Sequence, residues 1–91
     1  MYKITDYSIK QAKKLHVDIK PSKKKNKKID IYKDDKYIAS IGDSRYFDYA
    51  TYIKLIGKKE ADKHRYRYKK RHEKDRHIKN SASFFADQIL W

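Results

Sequence analysis

The sequence contains no cysteine. That excludes a disulfide framework and a cysteine-based zinc site, and it suits a reducing compartment. One proline and two glycines are present, and each reads as punctuation. Pro21 disfavours helix at Lys20, Gly42 ends a strand, and Gly57 closes a helix at its C′ position. No apolar run approaches the ~18–20 residues that a membrane-spanning helix needs. No apolar core of a signal peptide follows Met1-Tyr2-Lys3-Ile4-Thr5-Asp6. These absences predict a soluble, non-secreted protein with no membrane partner.

Aliphatic bulk is also scarce. Leu, Ile, Val and Phe together number 18 of 91 residues, and 41% of the chain is charged. That composition borders on the disordered class. Two features argue for a fold. Eleven of those residues are Ile gathered in patterned stretches, and nine Tyr and one Trp add large, partly apolar surface. The length fits a single small domain over residues 1–91 with a thin core.

Acid is missing where base is dense. Lys20 to Lys28 holds six Lys and no carboxylate. Lys58 to Lys79 holds eleven Lys or Arg against Glu60, Asp62, Glu73 and Asp75. The two tracts carry the whole net charge of +13, and the remaining residues balance. Two basic blocks on a neutral framework attract polyanions.

Periodicity and punctuation predict an α+β fold: an N-terminal helix, a β-hairpin, a short helix, a long basic helix and a C-terminal amphipathic helix. Asp6 or Ser8 can cap the first helix, which runs to about His16 with Ile9, Ala12 and Leu15 along one stripe. The Lys-rich segment at about 20–28 reads as a mobile loop. Ile29 to Lys33 and Lys36 to Ile41 form the hairpin around Asp34-Asp35, with Ile31 opposite Ile38 and Tyr32 opposite Tyr37. Asp48 caps a helix from Tyr49 to Ile56, whose buried stripe is Tyr49, Tyr52, Ile53 and Ile56. Glu60 to about Ile78 reads as the longest helix, with a thin inward stripe through Ala61, His64, Tyr68, Arg71 or His72, Asp75 and Ile78. Ala82 to Trp91 buries Phe85, Ala86, Ile89 and Leu90.

The long basic helix is the main candidate site. A Lys/Arg-rich helix can neutralise several phosphates at once, and Arg can hold phosphate bidentately. Lys63, Arg67, Lys70 and Lys74 share one helix face by period, and Arg65, Lys69 and Arg76 share another. Arg71 completes the phosphate-contacting set. Lys23, Lys24, Lys25, Lys27 and Lys28 assist from the loop, which equally suits a nuclear-targeting signal or a plain linker. The competing explanation is a solvated helix that only keeps the chain soluble. Tyr66-Arg67-Tyr68-Lys69 interleaves rings with base, as single-strand binders do, but Tyr66 and Tyr68 cannot share a helix face, and Tyr68 suits the core.

His72-Glu73-Lys74-Asp75-Arg76-His77 fails as a zinc motif, because two His five apart lie on different faces. Glu73 and His77 suit an exposed pair. Asp43, Asp48 and Asp75 make a nuclease only if they converge on a divalent metal. Nothing calls for a cofactor. The favoured reading is non-enzymatic, largely sequence-independent nucleic-acid binding, with DNA ahead of RNA. A structural scaffold protein with an acidic protein partner is the rival, with Trp91 either in the core or anchoring an interface. A metal-dependent nuclease comes third.

A set of landmarks runs in order through the chain: Lys20-Pro21-Ser22 with Lys25, Ile41-Gly42-Asp43-Ser44-Arg45-Tyr46, Asp48-Tyr49, Tyr68-Lys69-Lys70-Arg71-His72, Ser81-Ala82 and Ile89-Leu90-Trp91. This order resembles a family of short basic proteins of large nucleocytoplasmic DNA viruses. The chain departs from that pattern at Ser83, where Gly is usual, and at Glu73-Lys74-Asp75, where a basic-aromatic stretch is common. The resemblance implies a viral setting, in the virion or in the nucleus or cytoplasmic factory of an infected cell. It implies virion proteins as possible partners and a role in genome packaging, and it brings no catalytic residues.

Overall fold

The computed structural model describes residues 2–91. Its elements run α1 (Asp6–Lys14), β1 (Asp18–Pro21), β2 (Lys27–Lys33), β3 (Lys36–Asp43), α2 (Tyr49–Ile56), α3 (Lys58–Arg71) and α4 (Ala82–Ile89). The fold is α+β, and its helices follow the expected order. The sheet is an antiparallel meander in the order β1-β2-β3.

The third strand, β1, was not expected. It takes Lys20 and Pro21 out of the supposed loop and pairs Pro21 with Ile29. Pro at the end of an edge strand costs no central ladder bond. Lys27 and Lys28 belong to β2, so the loop shrinks to residues 22–26. Hydrogen bonds close that turn: Ser22 N to Lys28 O at 2.9 Å and Lys27 N to Lys24 O at 3.2 Å. Asn26 takes the left-handed conformation there, with φ 64°.

The β2–β3 hairpin turns on Asp34 and Asp35, at φ 51° and 64°. Positive φ at both positions is the hairpin-favouring turn geometry. Tyr32 pairs with Tyr37 as expected, but Ile31 pairs with Ala39. Ile38 is the extra residue of a β-bulge at that point, which shifts the register by one. The shift sets Ile29 opposite Ile41, and both are buried. On the outer face a polar chain runs from Lys24 Nζ to Tyr37 Oη (2.6 Å), to Ser40 Oγ (2.7 Å), to Asp30 Oδ1 (2.6 Å).

The core joins Ile29, Ile31 and Ile41 of the sheet to Ala12 of α1 and to Phe85, Ile89 and Leu90 of α4. Thr5 caps α1, accepting from Ser8 N at 3.1 Å. Neither Asp6 nor Ser8 does so, because both lie inside the helix. Ser8 faces the core, whereas Ile9 is exposed. The reason is hydrogen bonding: the last carbonyls of a helix lack intrahelical donors. Ser8 Oγ donates to Ile89 O at 2.9 Å, Gln11 Nε2 to Gln88 O at 3.1 Å, and Tyr49 N to Leu90 O at 3.0 Å.

The bounds of α2 match expectation, with Asp48 accepting from Thr51 N at 3.0 Å. Its burial differs. Tyr49 is buried and Tyr52 half-buried, but Ile53 and Ile56 are exposed. Helix α3 begins at Lys58 and stops at Arg71, well short of Ile78. Residues 72–80 form turns instead.

Gly42 sits at φ 81°, and a Cβ there would lie 2.8 Å from Leu90 Cδ1 and 3.0 Å from Lys28 Cβ. Left-handed strain and the clash act together. Gly42→Ala is expected to lower stability by about 2–3 kcal/mol. A urea titration followed by circular dichroism checks this, and an unchanged midpoint would show that β3 relaxes away from α4.

Candidate nucleic-acid interface

Two buried carboxylates sort the cations of this protein. The first is Asp48, which is 2% exposed. It caps α2, accepts a hydrogen bond from the Tyr2 hydroxyl, and pairs with Lys28 Nζ at 3.7 Å. The Lys28 ammonium also lies 5.3 Å from the Tyr2 ring centroid. Burial pushes the Lys28 pKa down, and the Asp48 charge opposes that shift. Burial likewise pushes the Tyr2 phenol up, with its bond to Asp48 second. Lys28 was expected to assist phosphate contact, but its ammonium is committed to Asp48.

The second is Asp87, also 2% exposed. Lys69 Nζ reaches its Oδ1 at 2.8 Å, and Arg76 NH1 its Oδ2 at 3.5 Å. On a continuous helix, Arg76 would stand about 10 Å beyond Lys69 along the axis. Ending α3 at Arg71 lets the chain turn back and bring Arg76 to the same carboxylate. Local pairs hold the turned segment: His72 Nδ1 with Asp75 at 3.4 Å, Arg76 with Glu73 at 2.8 Å, and His77 with Glu73 at 2.9 Å. Glu73 is therefore held below its usual pKa, first by His77 and then by Arg76.

The remaining expected contacts fall into three groups. Arg65 lies over the Tyr49 ring at 4.6 Å and is half-buried. With Lys69, Arg76 and Lys58 it lines a groove of about 630 Å³. In that groove Asp62 pairs with Lys58 at 3.0 Å, Glu73 with Arg76 and Lys69 with Asp87, which leaves Arg65 and Lys70 of its lining without an ion pair among the described residues. Lys63 pairs with Glu60 at 3.1 Å, and Lys24 donates to Tyr37. By contrast, Lys23, Lys25, Lys27, Arg67, Lys70, Arg71 and Lys74 are exposed and form no ion pair among the described residues. Lys74 lies beyond the end of α3 and does not share its helical face.

Three of this unpaired set, Lys27, Arg67 and Arg71, line a pair of adjoining hollows. One, of about 310 Å³, has Lys27, Gly42, Tyr68, Arg71, His72 and Trp91 in its lining. The other, of about 400 Å³, has Tyr52, His64, Arg67, Arg71 and Trp91. Tyr46 and Phe47 line both. The first hollow brings the two basic tracts of the sequence together, Lys27 from one and Arg71 from the other. The aromatic floor is ordered by stacking. Tyr68 lies on Trp91 (centroids 4.6 Å, planes 10°), and His64 lies on Tyr52 (4.0 Å, 6°). Trp91 thus packs within its own chain.

The carboxylate lining these hollows is Asp43, which Arg45 Nη2 holds at 2.7 Å. That guanidinium pulls the Asp43 pKa down to about 2. Asp43, Asp48 and Asp75 have separate partners, and the described residues form no group of three or more potential metal ligands. Among the described residues no helix is long and apolar enough to cross a membrane.

Sequence reasoning missed the buried roles of Asp48 and Asp87 and the aromatic lining by Tyr46, Phe47 and Trp91. Asp87 left a signal, as the one acid in the apolar segment Ala82 to Trp91. Neither family models, nor curated proteins, nor solved structures match this chain.

Removing one partner of a buried ion pair leaves the other charge uncompensated, at a cost of about 3–5 kcal/mol. Asp48→Ala is therefore expected to remove a large share of the about 5–15 kcal/mol that a small domain holds and to lower the unfolding midpoint strongly. Urea unfolding compares it with Asp43→Ala at the exposed Arg45 pair, which should leave the midpoint nearly in place. Equal effects of the two changes would remove the special role of Asp48.

Proposed function

We propose that this protein binds nucleic acid through backbone phosphates, without catalysing a reaction and with little regard to sequence. The observation that carries the reading is the meeting of both basic tracts at one cleft, where Lys27 and Arg71 line the same hollow. Arg67 extends the cationic rim on α3 through the second hollow. Phosphates along a strand repeat at short intervals, so a row of free cations neutralises several at once and releases their counterions. Cations already tied to carboxylates add little, which leaves Lys28, Lys69 and Arg76 as supports of the fold. The resemblance of the landmark pattern to proteins of large DNA viruses favours DNA and a genome-associated setting, such as packaging.

A scaffold role with a protein partner is the second reading. Ile53, Leu55 and Ile56 support it, since they leave an apolar edge of α2 open to solvent.

Fluorescence anisotropy with a labelled oligonucleotide at several salt concentrations tests the first reading. Affinity should fall steeply with salt. Arg67→Gln with Arg71→Gln should weaken binding and reduce the log–log salt slope by about one unit per residue. Lys63→Gln, already paired with Glu60, should change the slope little. A double variant that binds like the parent protein would move the interface elsewhere.

A further inference from the structure

We infer that the aromatic cleft between α2, α3 and the β3–α2 connection takes an unpaired nucleobase, so that the preferred ligand is single-stranded. The inference rests on the nucleic-acid reading above and specifies its ligand. Its basis is independent of the charges. Tyr46 and Phe47 are 64% and 52% exposed, side by side, at the mouth of both hollows. Two adjacent exposed rings beside the half-buried stack of Tyr68 on Trp91 are the informative kind of exposure.

The cleft has the parts that hold a strand without reading its sequence. Such sites combine a basic track for the backbone with rings on which bases stack, since every base has a π-face. Here Arg67, Arg71 and Lys27 supply the track. Tyr46, Phe47 and Trp91 supply the rings. Trp91 is fixed by Tyr68 behind it, and Phe47 meets Tyr52 edge-on at 5.6 Å and 85°. Ordered rings lose little freedom when a base arrives. Each hollow falls within the ~300–1,000 Å³ of small-ligand sites. A duplex keeps its bases paired and stacked inside, so it can offer the track its phosphates but the rings nothing. Charge complementarity selects a polyanion, and the rings select one that carries free π-faces.

Trp91 is the only tryptophan, so its fluorescence reports on this cleft alone. The experiment titrates the full chain with four probes of matched length: single-stranded oligothymidylate, an abasic sugar–phosphate oligomer, a DNA duplex and poly-glutamate. Oligothymidylate should quench Trp91 and bind at least about fivefold more tightly than the abasic oligomer, the least that one stacked base contributes. Phe47→Ala, at an exposed position, should shrink that advantage, weakening oligothymidylate binding more than abasic binding. Equal affinity for the base-bearing and abasic oligomers, or a preference for duplex, would overturn the inference and leave phosphate binding standing. Binding of poly-glutamate as tight as that of oligothymidylate would also overturn it, in favour of an acidic protein partner. Failure of all nucleic-acid probes to bind would remove the underlying reading as well.

Discussion

Asp48 is the point where four separate parts of the chain meet. Its carboxylate accepts from Tyr2 at the N-terminal end, pairs with Lys28 of β2 and caps α2 through Thr51 N. The next residue, Tyr49, donates its backbone N–H to the last turn of α4 through Leu90 O. A charge taken out of water persists only if it is paired and hydrogen-bonded, and this one has both kinds of partner. The aliphatic core is small for a chain of this size, so a directional polar anchor has much to hold. It attaches the α2–α3 pair to the sheet and α4, where apolar contact alone is thin. Tyr49 extends the joint on its other side, with its hydroxyl on Asp62 at 2.6 Å and its ring edge-on to Tyr7 at 5.9 Å.

Asp87 does the corresponding task on the far side of α3. By drawing in Lys69 and Arg76 it ends the helix and folds the following segment back. A strongly basic chain repels itself when compact, and placing two carboxylates in the interior relieves part of that repulsion. The cations left over are not scattered. Lys27, Arg67 and Arg71 border one aromatic cleft, with further free Lys on the loop and on α3. The two buried carboxylates thus set apart the basic residues that support the fold, and the proposed function draws on cations that remain free.

Much of the fold was legible in local chemistry. Asp48 before Tyr49 and Gly57 after Ile56 marked both ends of α2 correctly, because capping is decided within a few residues. Asp34-Asp35 marked the hairpin turn for the same reason. Apart from the α1 cap, which falls locally on Thr5 instead of Asp6 or Ser8, the failures depended on distant partners. The strand Asp18–Pro21 exists through its pairing with β2. Ser8 is buried because α4 offers it a carbonyl, and no pattern of apolar residues could disclose that. The bulge at Ile38 depends on the fit of Ile29 and Ile41 against α4. Of the candidate site, the exposed Lys and Arg were legible from charge, but the tied roles of Lys28, Lys69 and Arg76 were not. Salt-bridge partners far along the chain carry no local mark, and nothing local marks Tyr46-Phe47 as exposed.

Residue-resolved mapping bears most directly on the claim that both basic tracts form one binding surface. An ¹H–¹⁵N spectrum of the labelled protein, titrated with a single-stranded oligonucleotide, reads every backbone amide and the single Trp91 indole N–H. Shifts should concentrate at Lys27, Gly42, Tyr46, Phe47, Arg67, Arg71 and the Trp91 indole, with Lys63 and the outer sheet face around Lys33 unmoved. Shifts gathered instead along the Lys58, Arg65 and Tyr66 groove, or on α1, would refute the cleft as the interface.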